Sequence, residues 1–248
     1  QINLGTASQS STPNTSVTGG ATANSTSITV ASTSGMAVGN LLMITELNDS
    51  SYVTPLGFAS TCTWCDEWDL GTRLRGQIVR VNSINGLTVG FPPLYSAYAL
   101  TPLATPITPS AVFAGLEDLQ LYANNTKGTN STQVYMGRAA YSWLKNVHSN
   151  FCDGDHARLL QCYRCEIRDS YFHDGYNHES GSSESDLFLI WKTSACLVEN
   201  NILERLHISI LLNWGAAGKG IGYNFMRGNF DATPTTVLMA GGSAHGAH

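Results

Sequence analysis

The chain has 248 residues, of which 42% are hydrophobic and only 12% charged, with a net charge of −5. That length and apolar content support a real core, in one large domain or two small ones. A charged fraction about half the usual share and a pI near 5.7 argue against a nucleic-acid footprint and against a strongly basic groove for polyanions. No run of about 18 apolar residues exists, so no membrane-spanning helix is expected.

In chain order, residues 1–25 form a polar arm dominated by Ser, Thr, Asn and Gly. By composition such an arm is disordered alone, and it orders only against its own domain or as a strand added to a neighbouring subunit. The chain starts at Gln1 without Met or a charged-then-apolar leader, the expectation for an exported product whose signal peptide has been removed. Sequons at Asn14, Asn24, Asn48, Asn124 and Asn130 read as solvated turn and ladder residues, with meaning only in a host that glycosylates.

Residues 26–112 alternate β-rich runs (SITVA, LLMITEL, QIVRVNSI, LTVGF) with turns, and Asn85-Gly86 stands where a hairpin turn is needed. This predicts a small β-rich module that caps the second half of the chain, with Pro102, Pro106 and Pro109 marking the linker.

The second half carries a loose internal repeat: LEDLQL from 116, LKNVHS from 144, IRDSYF from 167, VENNIL from 198 and IGYNFM from 221. Each segment begins with an aliphatic residue. The third place holds Asp118, Asn146, Asp169 and Asn200, with Tyr223 departing from the column. The spacing implies a basal unit near 23 residues lengthened by loops, which means stacked units. Short β-rich runs lie between the repeats, and no segment has helical spacing over ten or more residues. The predicted fold is all-β: a right-handed parallel β-helix over 113–248, preceded by the cap module and the polar arm.

The six cysteines form two CxxC pairs, Cys62/Cys65 and Cys162/Cys165, with Cys152 and Cys196 separate. Disulfides are favoured over a four-thiolate zinc site, because the surface chemistry looks extracellular. Asp66 and Glu166 follow the pairs where c-type haem attachment needs His, so no haem is expected. Cys165 and Cys196 each stand two residues before a repeat and should stack on adjacent coils, so a Cys165–Cys196 bridge competes with Cys162–Cys165.

Aligning Leu159-Leu160, Leu189-Ile190 and Leu211-Leu212 puts His156, Asp186 and Ile208 in one column, and Asp155, Ser185 and His207 in the next. Asp155, His156, Asp186 and His207 are therefore the candidate catalytic group, able in principle to supply an acid and a base for glycosidic cleavage. Asp153, His173, Asp174, His178, Glu179 and Glu184 come from nearby turns and a long polar loop over 175–185. No cofactor is required; calcium is the allowed ligand, through Asp153, Asp155 and Asp186. Trp191, Trp214 and Tyr176 are candidates for stacking on sugars. Against all of these stands the plainer reading that β-helix turns are rich in Asp, Asn, Gly and His because these residues accept unusual backbone angles.

The runs GDHARLLQCYRCEIRDSYFHD, SDLFLIW, LVENNILERLHISILLNWGAAG, YNFMRGNF and HGAH resemble those of uncharacterised secreted bacterial β-helix proteins in the pectate-lyase-like superfamily. ITVASTSGMAVGNLLMI and GQIVRVNSINGLTVGFPPLY are similar to the module before the helix in the same proteins. The resemblance implies the β-helix fold and secretion to the extracellular space or cell surface, but little about activity. Such proteins usually continue through further coils after the HGAH-like segment, which here ends at His248.

Two functional readings emerge. In the first, the chain is structural and self-associates into a filament or surface assembly, by strand addition through the arm or an open coil. In the second it acts on or binds an extracellular polysaccharide, as a lyase, hydrolase, epimerase or glycan-binding protein, through the face carrying Asp155, His156, Asp186 and His207.

Overall fold

Left-handed residues fix where each coil turns. In the computed structural model, which describes residues 1–6, 14–48, 72–123, 131–176, 178, 186–229 and 241–245, Leu116, Leu144, Ile167, Val198 and Ile221 lie in register on parallel strands. Leu144, Ile167 and Val198 are fully buried and line the main core. Two residues further on, Asp118, Asn146, Asp169, Asn200 and Tyr223 all take φ between 50° and 56°. A left-handed turn costs an ordinary L-residue about 1–2 kcal/mol, and Asn and Asp tolerate it best. Side chains repay part of that cost along the column: Asn146 Nδ2 donates to Asp118 Oδ1 at 2.7 Å and Asn200 Nδ2 to Asp169 Oδ1 at 2.8 Å. The backbone is satisfied as well, since Asp169 and Asn200 donate their N–H groups to carbonyls of the next coil.

The same device recurs at other corners. Arg138, Gln161, Trp191 and Trp214 form a second left-handed column, Phe113, Tyr141, Arg164, Ala195 and Gly218 a third, and Phe151, Asp174, Arg205 and Gly228 a fourth. Between the corners the strands stack in parallel, as a right-handed β-helix requires. Sheet one runs Ile2–Gly5, Val134–Gly137, Ala157–Leu160, Leu187–Ile190, Ser209–Asn213 and Gly241–His245. A short second sheet pairs Ala111–Val112 with Ala139–Ala140 and continues as single bridges through Tyr163, Ser194 and Ala217. Sheet three contains Gly115–Tyr122 and Trp143–Cys152, after which each strand splits in two around the Asp/Asn corner.

The arm is divided between the two parts of the molecule. Ile2–Gly5 pairs in parallel with Val134–Gly137, so the strand that the sequence offered to a neighbour is used within its own chain. Thr15–Gly19 joins the seven-stranded antiparallel sheet of the module instead. Asn85 pairs with Thr88 and Gly86 takes φ 59°, which places the predicted hairpin turn.

The proline linker is corrected. Leu103–Ile107 is an interior strand of the module, paired with Leu41–Thr45 along its whole length. Pro106 is tolerated there because Thr15–Gly19 pairs only with Leu103 and Ala104, leaving the strand an open edge at the proline. The module then docks on the second sheet: Leu41, Ile78 and Ile107 pack with Ala140 and Tyr163, and Ile78 N–H donates to Ser194 Oγ at 2.9 Å. Tyr95 closes on Gly218 so tightly that a Cβ there would lie 1.9 Å from a ring carbon, which explains glycine at that corner.

The second-strand alignment slips by one residue. Leu189 pairs with Leu212 and Phe188 with Leu211, not Leu189 with Leu211. A run of three apolar residues, Ile210 to Leu212, leaves the inward face ambiguous, and a one-residue slip exchanges faces. Asp186 settles the register by accepting the N–H groups of Ile208 and Ser209 on Oδ1, at 2.9 and 3.0 Å. Asp186 therefore stands between His156 and Ser209, and His207 drops out of the Asp155 column.

The disulfide expectation fails for the described cysteines: Cys152, Cys162, Cys165 and Cys196 are buried and joined in no disulfide, and Cys62 and Cys65 lie outside the described residues. Cys165 and Cys196 do stack, as their spacing implied, but as thiols: Cys196 Sγ accepts the Cys165 N–H at 3.3 Å. Cys162 Sγ donates to the Met136 carbonyl at 3.2 Å and Cys165 Sγ to that of Ala139 at 3.4 Å. They serve as small apolar filler of the coil interior.

One coil further, Lys219 occupies the position below Cys196 and its Nζ donates to the Thr193 carbonyl at 2.6 Å. Burial, partly offset by Cys196, pushes its pKa from 10.5 down to about 7. A cation penalised in the fold destabilises it fully below the folded pKa, and the penalty vanishes above the unfolded one. Stability should therefore rise between about pH 7 and 10.5. Chemical denaturation of Lys219→Met should show a flatter rise and greater stability at low pH; identical slopes for variant and parent would remove Lys219 from the coil interior.

Candidate functional site

The four side chains singled out from sequence are all interior. Asp155, His156, Asp186 and His207 are at most 3% exposed, and Asp153 is fully buried. Each belongs to a structural network. His156 Nδ1 lies 2.7 Å from Ser149 Oγ, which donates onward to Gln133 Oε1 at 2.5 Å. Burial drives the His156 pKa down to about 3, so the ring is neutral. Asp155 pairs with Arg158 and accepts from Thr132 Oγ1 at 3.4 Å. Asp186 holds the two amides described above, and His207 Nδ1 stands 3.9 Å from its other oxygen. Buried to this degree, the group does not face a groove. Among the described residues no three His, Cys, Asp or Glu side chains converge to hold a metal ion, Asp153, Asp155 and Asp186 included.

Trp191 and Trp214 stack with ring centroids 5.3 Å apart at 21°, half-buried, at two successive left-handed corners. Tyr176 packs against Phe151 at 5.5 Å. Both contacts are aromatic ladders along the coil direction. His178 is buried, with Nε2 3.1 Å from the Gly175 carbonyl. Glu179 and Glu184 lie outside the described residues.

A second, partly exposed set of polar and aromatic side chains gathers elsewhere, on the outward side of sheet three. Strand alternation points every second residue outward, and register then builds two columns: His148, Tyr171, Ile202 and Phe225; and Asn150, His173, Glu204 and Arg227. These are the fifth and seventh places of the repeat, so the alignment that exposed the Asp/Asn column could also have found them. Attention to clusters of Asp and His near turns, rather than to outward positions on strands, is what missed them.

The columns are linked laterally. Tyr171 donates its hydroxyl to Glu204 Oε2 at 2.6 Å. Glu204 also pairs with Arg227, through Nε at 2.7 Å, and with Arg205 at 2.6 Å. Arg205 in turn grips Asp174 through Nε at 2.5 Å and Nη2 at 2.8 Å, and Asp174 meets His173 Nδ1 at 2.5 Å. The Arg205 hydrogen bonds, helped by His173, hold the Asp174 pKa down to about 2, and the Tyr171 hydroxyl with the two arginines lowers that of Glu204. Burial and Glu204 raise the Tyr171 phenol. Beside this network runs a groove of about 330 Å³ lined by His148, Tyr171, Asn200, Ile202, Tyr223 and Phe225. Ile202, Tyr223 and Phe225 are all exposed there, Tyr223 at 87%.

No protein-family model and no curated protein matches the chain. Among solved structures it is similar to the Gp54 tailspike of Acinetobacter baumannii bacteriophage AP22, solved in complex with A. baumannii capsular saccharide. There the identity is 15% and the TM-score 0.44, over 87% of this chain and 41% of the tailspike. The tailspike protein gp49 from Pseudomonas phage LKA1 matches at 16% identity and TM-score 0.41, over 91% of this chain and 43% of the other. The tailspike gp61 of Pseudomonas phage phi297 matches at 8% and 0.44, over 90% and 44%. The chain thus spans less than half the length of these tailspikes. At such identities and TM-scores no activity carries over, and the fold stands on the strand pairings themselves.

The Asp174 carboxylate gives a direct check on the network. In Arg205→Ala its pKa should climb from about 2 toward the ordinary value of 3.8, followed by the carboxyl carbon shift in an NMR titration. An unchanged value would show that Arg205 does not hold it.

Proposed function

We propose that the chain is a polysaccharide-binding β-helix protein whose ligand lies along the outer face of sheet three. The observation that carries this reading is the alignment, down successive coils, of apolar and ring faces in one column and hydrogen-bonding charges in the next. Tyr171, Ile202 and Phe225 offer flat surfaces for sugar rings. In the next column the exposed Arg227 and the partly buried His173 offer polar groups for hydroxyls, and the buried Asn150 and Glu204 lie behind them. Coils repeat at about 4.8 Å, so an extended polymer meets the same pair of columns again at each step.

The face is suited to binding rather than cleavage. A general acid must hold a proton at the working pH, yet Arg205 lowers the Asp174 pKa, and the Tyr171 hydroxyl with the two arginines lowers that of Glu204. A lyase, hydrolase or epimerase would need a proton donor that this pair does not supply. The reading places the protein outside the cell or at its surface, where such polymers are found, in keeping with a sequence that carries few charges. The self-association reading is the weaker one, because the arm strand that would have bridged subunits is paired at home.

The test is retardation in affinity gels cast with neutral and acidic polysaccharides in the presence of a chelator. Tyr171→Ala and Phe225→Ala should each weaken retention roughly 2- to 12-fold, the range expected when one ring contact is lost, with unchanged circular dichroism. Retention that is absent from every gel, or that survives both substitutions together, would remove the glycan from this face.

A further inference from the structure

His148 and His173 turn their Nε2 atoms toward each other at 2.7 Å. The rings lie on neighbouring coils, centroids 4.9 Å apart and 28° from parallel. Tyr171 stacks on both, at 5.2 and 4.2 Å, so neither imidazole is free to swing away without breaking an aromatic contact.

The protonation pattern is set by the neighbours. The Asp174 carboxyl faces His173 Nδ1 at 2.5 Å, so an N–H on that nitrogen meets the carboxyl and Nε2 is the ring nitrogen turned toward His148. Arg205 fixes Asp174 in turn. Two imidazole nitrogens aimed at one point, 2.7 Å apart, can share a proton, or a metal ion can take the proton's place. A carboxylate behind the outer nitrogen of a ligating histidine is the usual support for such an ion.

We propose that His148 and His173 form a two-imidazole site for a divalent transition metal, of the class of Zn²⁺, Ni²⁺ or Cu²⁺, with water completing the coordination. Imidazole nitrogen selects these ions over calcium or magnesium. With metal–nitrogen distances of about 2.0–2.1 Å and a tetrahedral angle, the two nitrogens would stand about 3.3 Å apart. The rings must therefore part by about half an ångström from their present 2.7 Å. No third His, Cys, Asp or Glu among the described residues completes the set, and water takes the remaining positions in the proposed coordination. The inference goes beyond the glycan reading and does not depend on it.

Titration calorimetry of the full chain with Zn²⁺, alongside the absorption spectrum of the Co²⁺ form, tests this directly. One equivalent should bind, disappear in His148→Ala and in His173→Ala, and weaken about 10- to 100-fold in Asp174→Asn, the usual effect of losing a supporting carboxylate. His245→Ala and His248→Ala should leave the equivalent intact. No binding by the parent protein, binding that survives both His148→Ala and His173→Ala, or binding that depends on His245 or His248 would each overturn the proposal. Because gel retardation is measured with chelator, failure here leaves the glycan reading standing, and failure there leaves this one standing.

Discussion

The coil depends on one backbone constraint: at each corner an ordinary L-residue must enter the left-handed region, and it must do so at the same place in every coil. Four stacked columns meet the requirement in different ways. At the Asp/Asn corner, side chains that tolerate the conformation also bond to one another along the stack. At the Trp191/Trp214 and Phe113/Tyr141 corners, ring stacking offsets the strain. At Gly218 the absence of a Cβ both relieves strain and admits Tyr95 from the module. Each solution needs its neighbour above or below, which makes the coils cooperative rather than independent.

Fixed corners fix what faces in and what faces out. Between the third place of the repeat and the next corner, strand alternation alone decides exposure, so His148, Tyr171, Ile202 and Phe225 are bound to share an outer column. Asp155, His156 and Asp186 stand just before the strands of sheet one and are buried at that turn, where their polar atoms hold amides, hydroxyls and a guanidinium. An interior acid or imidazole with such partners stabilises the coil. Glu204, on the outward side of sheet three, is covered by the tyrosine and arginines that bond to it.

The repeat on sheet three was legible in the sequence, because an aliphatic residue followed by Asp or Asn two places later marks both the inward position and the corner. Sheet one was only partly legible. Ala157–Leu160 and Leu187–Ile190 align as read, but the apolar run in Ser209–Asn213 has no alternation to fix its face, and the deciding Asp186–amide bonds are tertiary. The prolines misled for a related reason: whether Pro106 ends a strand depends on which neighbour lacks a partner there, a fact that lies in the pairing of Thr15–Gly19. The CxxC spacing suggested covalent chemistry where the coil needed small buried groups. The lateral network around Glu204 and Asp174 joins residues 31 and 33 positions apart, and it appears only once the coils are stacked.

The most direct test of this account is the unfolding free energy of two variants at the Asn200 corner, where φ is 55°. Both Asn200→Gly and Asn200→Val lose the bond to Asp169, so they differ chiefly in their tolerance of the left-handed turn. The account predicts that the valine variant is less stable than the glycine variant by about 1–2 kcal/mol; equal stabilities, or a more stable valine variant, would contradict it.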